Sequence, residues 1–299
     1  MIRIGVDLGG TKTEIIALDE TGKELVRRRV HTPAHDYKEI LDQVASLVFG
    51  VEDEIGKEGT LGIGTPGALS RATGLLKNSN SVCLNGRPIL ADLEDRLRRT
   101  IRISNDANCF ALSEAMDGAG AGASVVFGVI VGTGTGGGIA VNGSVLTGPN
   151  GVAGEWGHNP LPWPGDDERP GPPCYCGRYG CIETFLSGPG MARDHGAANG
   201  MGLAPPAIVD GARSGDKACA ETLQRYADRM ARSLAHVINI LDPDVIVLGG
   251  GMSNIEELYT LVPSLWGPYV FSDRVDTKLR KAVHGDSSGV RGAAWLWPK

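Results

Sequence analysis

The chain of 299 residues contains no apolar run long enough to span a bilayer as a helix. It lacks a basic surplus as well: 29 Lys and Arg stand against 35 Asp and Glu, a formal net charge of -6. That balance argues against nonspecific attachment to nucleic acid or to an anionic membrane. The first seven residues, Met-Ile-Arg-Ile-Gly-Val-Asp, have neither the apolar core nor the small-residue cleavage site of a signal peptide. A reducing cytoplasm is therefore the expected setting. Apolar content of 41% and charged content of 21% are ordinary for a soluble globular protein, and the length suits two domains with separate cores. Glycine is plentiful. Its 44 residues concentrate in short turns after apolar runs, where bare backbone can approach a ligand closely.

Patterning predicts strands over 2–7, 13–18 and 23–30, a helix over 36–55, a strand near 61–64, a helix near 92–99, a strand over 101–104 and a helix from Ala107. The second half opens the same way, with a strand over 125–131, a Gly-rich turn, a strand over 138–142 and an Asn142-Gly143 hairpin signal into Val145. Gly5, Val6, Gly9, Ile16 and Ala17 fall on Gly128, Val129, Gly132, Ile139 and Ala140 when the halves are laid together, which suggests a duplicated domain. Residues 160–173 form a polar, Pro-rich excursion carrying Asp166, Asp167 and Glu168, expected to be a surface loop. Helices over 182–194, 206–213 and 217–240, a strand over 244–248, a helix from Asn254 and a last apolar helix over 289–297 complete the chain. The last is expected to pack against the first domain. The domains expected are 1–118, completed by 287–299, and 119–286, with a metal-binding insert at 158–183.

Cys174, Cys176 and Cys181 lie in Pro-Cys-Tyr-Cys-Gly-Arg-Tyr-Gly-Cys-Ile-Glu, downstream of His158 in Gly-Glu-Trp-Gly-His. Three thiols and one imidazole can close a tetrahedral Zn²⁺ site, and such a closed shell is structural, with no open position for hydrolysis. A disulfide pair or three buried thiols is the alternative. Glu155 and Glu183 flank the cluster, so a bound ion would hold both carboxylates in place. Cys83, Cys109 and Cys219 are isolated and read as small buried hydrophobes.

Asp7-Leu8-Gly9-Gly10-Thr11-Lys12-Thr13 joins two strands by a turn whose N–H groups can cradle phosphate, with Asp7 placed to hold a Mg²⁺-bound water. It is not a P-loop, because Thr11 stands where that motif needs lysine and a strand follows. A plain tight hairpin is the other possibility. Gly132-Thr133-Gly134-Thr135-Gly136-Gly137 and Gly62-Ile63-Gly64-Thr65-Pro66-Gly67 match G-x-G-x-x-G, but neither opens a helix, so a dinucleotide fold is not expected. The first reads as a second phosphate turn, and Gly249-Gly250-Gly251 at a strand end leaves room for a flat ring. Asp106, in Ser-Asn-Asp-Ala-Asn between a strand and a helix, can cap that helix or accept the proton of an attacking hydroxyl.

These motifs in this order resemble, over the whole length, the ROK family of sugar kinases within the actin and hexokinase-like superfamily. The resemblance implies an α/β fold of two duplicated RNase H-like domains, of the actin and hexokinase type, with an interdomain cleft. It implies a cytoplasmic, homodimeric kinase that uses ATP and Mg²⁺ and carries a structural Zn²⁺ on His158, Cys174, Cys176 and Cys181. Asp106 would be the general base; Asn80, Asn105, Glu155, His158 and Glu183 would bind sugar hydroxyls. Asp7 with Gly9, Gly10, Thr11 and Lys12, and Gly132, Thr133 and Gly134, would handle phosphates and Mg²⁺, with Gly249, Gly250 and Gly251 near adenosine.

Asn78 to Ser81, Leu84-Asn85-Gly86 and Gly157 to Trp163 look most like bacterial fructokinases, also called mannofructokinases. Fructose is therefore the expected acceptor at its 6-hydroxyl, with mannose or glucose accepted as well, and a kinase for N-acetylglucosamine or glucose as the alternative. Trp156 beside Glu155 is expected to crowd out a 2-acetamido group. Sugar-responsive repressors of the family carry a winged-helix domain ahead of the phosphate turn, for which a chain with Asp7 so near Met1 leaves no room. A silent sugar sensor is disfavoured by the presence of both Asp7 and Asp106, and a heat-shock ATPase domain by the cysteine cluster with its two glutamates.

Overall fold

The computed structural model describes residues 1–79 and 81–298. Their contacts divide the chain into two compact units, one of Met1–Gly122, Gly138–Ala153 and Val283–Lys299, the other of Ala123–Gly137 and Gly154–Ala282. The sequence alone puts one boundary at 118/119, whereas the contacts group residues 138–153 with the first unit.

The first unit starts with β1 (Arg3–Leu8), β2 (Lys12–Leu18) and β3 (Glu24–His31), an antiparallel meander. α1 (Tyr37–Ile55) follows. Asp36 starts it by accepting N–H bonds from Lys38 and Glu39, Ile40, Val44, Val48 and Val51 give it a buried stripe, and Gly56 ends it at φ 69°. β4 (Thr60–Thr65), the short pair β5 (Ala68–Leu69) and β6 (Leu76–Lys77), α2 (Ile89–Leu97), β7 (Arg102–Asn105) and α3 (Asp106–Asp117) complete this run. α2 begins three residues before the expected start at 92, because Ile89, Leu93 and Leu97 form the buried stripe that defines it. Sheet order is β3-β2-β1-β4-β7, with β1, β4 and β7 parallel. Their carboxyl ends share one edge, where Asp7 pairs with Gly64 and Gly64 with Ser104.

The second sheet has the order β10-β9-β8-β11-β12, built from β8 (Val125–Val131), β9 (Thr135–Val141), β10 (Ser144–Val145), β11 (Val245–Gly249) and β12 (Lys278–Lys281). β8, β11 and β12 run parallel and β9 with β10 antiparallel, so position for position it repeats the first sheet's order. The duplication expected from the sequence is present, and the boundary between units falls inside β9. The helices here are α4 (Ile182–Leu186), α5 (Gly188–Asn199), α6 (Pro205–Arg213), α7 (Lys217–Leu241) and α8 (Leu258–Leu265). One helix over 182–194 is predicted, but Ser187 stands extended between α4 and α5 and caps the second by accepting the Gly190 N–H at 3.2 Å. Among the described residues no helix is long and apolar enough to cross a membrane.

α9 (Ser288–Ala294) returns the chain to the first unit, where it packs against β1, β4 and α3. Contact is backbone to backbone. A Cβ on Gly5 would stand 2.1 Å from the Val290 carbonyl oxygen, one on Gly62 1.9 Å from that of Ala293, and one on Gly292 1.7 Å from that of Cys109. Gly292→Ala is expected to destabilise the protein by about 3 kcal/mol in urea unfolding, since neither backbone can yield. A loss below about 1 kcal/mol would contradict this packing.

Candidate active site

In the first unit, parallel pairing brings Asp7, Asn105 and Asp106 to the carboxyl edge of the sheet. The β1–β2 turn closes with the Gly9 N–H donating to the Lys12 carbonyl at 3.0 Å. Thr32, which no sequence signal marked, braces it: its hydroxyl bonds the Gly9 carbonyl oxygen at 2.9 Å and lies 2.8 Å from that of Thr13. Thr11 and Lys12 are exposed.

Asn105 is the N-cap of α3, accepting the Asn108 N–H at 2.9 Å. Asp106 is thereby released from the capping role that its neighbourhood also allowed. Its carboxylate accepts the Ala107 N–H at 2.8 Å and remains open to solvent, while surrounding protein raises its pKa against that hydrogen bond. Asp7 is raised as well. Burial, then the charges of Asp106 and Glu14, push its carboxyl up to about 7 despite Arg29. Glu14, held by Arg27 and Arg29, lies beside Asp7 across the β1–β2 ladder. A carboxylate so poorly compensated suits a divalent cation, and oxygen donors are what Mg²⁺ takes. Gly289 of α9 completes the wall, since a Cβ there would stand 2.7 Å from Asp7 Oδ2. Cys109 is fully buried under the two carboxylates, and burial first, then Asp7 and Asp106, drive its thiol pKa well up.

Asn80 lies outside the described residues. Ser79 is held by Asn85, whose Oδ1 accepts the Ser79 N–H at 2.9 Å and whose Nδ2 donates to the Ser79 carbonyl at 2.8 Å.

In the second unit, the side-chain donor atoms of His158, Cys174, Cys176 and Cys181 lie within 4.8 Å of one another. Cys174 Sγ is 3.6 Å from His158 Nδ1, and Cys176 Sγ 3.6 Å from Cys181 Sγ. A tetrahedral Zn²⁺ with sulfurs at about 2.3 Å spaces them about 3.8 Å apart, so the donor set fits that ion. All six cysteines are free thiols. Gly177 and Gly180 turn the chain between ligands at φ 86° and 68°, a region other residues rarely adopt. Burial and the two neighbouring thiols push the Cys181 thiol up to about 12 when no cation balances them.

The 160–173 excursion is no free surface loop. Glu168 is buried, taking hydrogen bonds from Arg229 Nε at 2.8 Å and from Arg232 Nη2 at 2.9 Å, both on α7. Burial works against its charge, yet Arg232 and Arg229 hold the carboxyl down at about 2. Arg232 also donates to the Pro162 and Trp163 carbonyls, fastening the segment that leads from His158 to Cys174. Patterning missed this because three adjacent acids look solvated.

Glu183, at the start of α4, accepts the Thr135 N–H at 2.9 Å and so is tied to the β8–β9 turn. Glu155 is exposed at the head of the short 3-10 turn Trp156–His158. Trp156 points inward: it is 4% exposed, meets Phe127 edge to face at 5.6 Å and donates from Nε1 to the Gly136 carbonyl at 3.0 Å. The expectation that its indole crowds out an acetamido group is therefore corrected, because the ring is spent on the core.

Gly132, Thr133 and Gly251 border one cavity of about 690 Å³, walled by Pro189, Pro205, Val209 and Met252 among others. The Gly188 N–H donates to the Gly132 carbonyl at 2.7 Å and fixes α5 against the turn. Gly250, at φ 79°, would set a Cβ 2.4 Å from the Val131 carbonyl oxygen. The α5 and α6 walls went unnoticed in the sequence, where only Pro residues at two helix starts hinted at them.

Comparison with known proteins finds relatives along the whole chain. The ROK family profile matches residues 3–299. An N-acetyl-D-glucosamine kinase of Pectobacterium atrosepticum is 39% identical over 296 residues, covering 98% of this chain and 97% of that one. Among solved structures, the ROK hexokinase of Thermus thermophilus is 31% identical with a TM-score of 0.88, covering 99% of this chain and 97% of that one. A ROK family glucokinase of Streptomyces griseus, in complex with glucose and AMPPNP, is 28% identical with a TM-score of 0.75 and 99% coverage of both. The particular likeness to fructokinases is not supported by these relatives.

Proposed function

The chain belongs to the ROK family and is an ATP-dependent sugar kinase, and from that premise we propose that its acceptor is N-acetyl-D-glucosamine, phosphorylated at the 6-hydroxyl. The observation that carries this choice is the inward Trp156, which removes the steric objection to a 2-acetamido group beside Glu155. Identity of 39% to an N-acetyl-D-glucosamine kinase along nearly the whole chain points the same way.

Asp106 takes the proton of the attacking hydroxyl, its raised pKa matching it better to that task than an ordinary aspartate. Asn105, Glu155, His158 and Glu183 orient the sugar, together with Asn80. Gly9 to Lys12 and Gly132 to Gly134 offer backbone N–H groups to the phosphates, and the cavity beside Gly249 to Gly251 receives the adenosine. Asp7 would hold Mg²⁺ through water, and the ion would supply charge neutralisation for the transferring phosphoryl group. Zn²⁺ on His158, Cys174, Cys176 and Cys181 is structural. We place the enzyme in the cytoplasm, as a homodimer.

ADP release measured across N-acetylglucosamine, N-acetylmannosamine, glucose, mannose, fructose and allose tests the substrate. N-acetylglucosamine is expected to lead fructose in kcat/KM by on the order of 10²-fold. Equal or better use of fructose would return the specificity to the fructokinase type.

A further inference from the structure

Tyr175 stands between Cys174 and Cys176, and nothing derived so far gives it a task. It is 83% exposed, so packing does not explain where it lies. Its hydroxyl is 2.8 Å from His158 Nε2, with the two rings edge to face at 5.0 Å. His158 Nδ1 is the nitrogen that faces Cys174 Sγ. A lone pair given to a metal at Nδ1 leaves the ring proton on Nε2, which must then donate. Tyr175 Oη accepts that bond, so that His158 acts on the sugar through the phenol, whose own hydrogen is left to be donated onward. A neutral phenol donates one hydrogen while accepting another, so Tyr175 can extend the reach of His158 outward from the cluster.

We propose that Tyr175 is a sugar-contacting residue, its hydroxyl passing the hydrogen bond of His158 on to an oxygen of the acceptor and its ring covering an apolar C–H face. An exposed ring with a polar tip suits a sugar, which offers both kinds of surface. The proposal rests on the kinase function given above and on the His158 metal ligation.

Calorimetric titration of Tyr175→Phe with N-acetylglucosamine, and separately with ADP, tests it, with zinc per chain measured alongside. The Kd for N-acetylglucosamine is expected to rise about five- to tenfold, the loss of one hydrogen bond, with ADP affinity and zinc content as in the unaltered protein. Unchanged sugar affinity overturns the proposal. Tighter binding does so too, because the hydroxyl would then compete with the sugar for His158, and loss of zinc would show that Tyr175 serves only to hold the imidazole. If the unaltered protein binds none of the six sugars, the kinase substrate assignment falls and takes this proposal with it. Normal binding that Tyr175→Phe leaves intact removes the Tyr175 contact alone.

Discussion

Asp106→Asn is expected to lower kcat by about 10²-fold or more, with the KM values for sugar and ATP little changed. Asparagine keeps the shape and the hydrogen bond from the Ala107 N–H but cannot accept a proton. Because Asn105 caps α3, the substitution leaves the helix start intact, and the variant should unfold at the same temperature or slightly higher. A rise has a physical source, since Asp106 is one of the charges that hold the Asp7 carboxyl up at about 7, and removing it relieves that repulsion. In the unaltered enzyme the raised pKa of Asp106 should place the acid limb of kcat above the usual carboxylate range. Steady-state kinetics with a thermal melt decide the matter. Near-normal turnover, or a large fall in Tm, would return Asp106 to a structural role.

Cys181→Ser is expected to release the metal, raise the sugar KM by about 10- to 100-fold and lower Tm by roughly 10 °C. Cys181 immediately precedes α4, whose second residue is Glu183, and Glu183 in turn holds the Thr135 N–H of the phosphate turn. His158 carries the same dependence from the other side of the cluster. Loss of the ion would leave Cys174, Cys176 and Cys181 without a shared partner and loosen both ends of the segment that Glu168 anchors in its middle. Metal content by elemental analysis, KM for both substrates and a thermal melt form the test. A variant that keeps its zinc, or loses it without a change in sugar KM, would separate the cluster from the sugar site.

The candidate site residues were legible in the sequence. Asp7, Asp106, the two glycine turns and the Cys-x-Cys cluster are recognised by residue type and spacing, because turn geometry and ligand chemistry are local properties. The duplication was likewise visible, since alternation and turn residues recur in both halves, whereas the strand order within each sheet came from the structure. Acceptor preference was not, and the fructokinase expectation rested on runs such as Asn78 to Ser81 that carry no direction for any side chain.

Composition and local pattern thus determined that this chain is a duplicated α/β protein with glycine turns at strand ends, a candidate base and a thiol cluster. Only the tertiary structure decided that Asn105 and not Asp106 caps α3, that Trp156 faces Phe127, that Glu168 is buried between Arg229 and Arg232, and that α5 and α6 wall the cavity beside Gly132. The reason is physical: spacing along a strand or helix follows from backbone geometry, whereas the direction and burial of one side chain depend on partners far away in the chain.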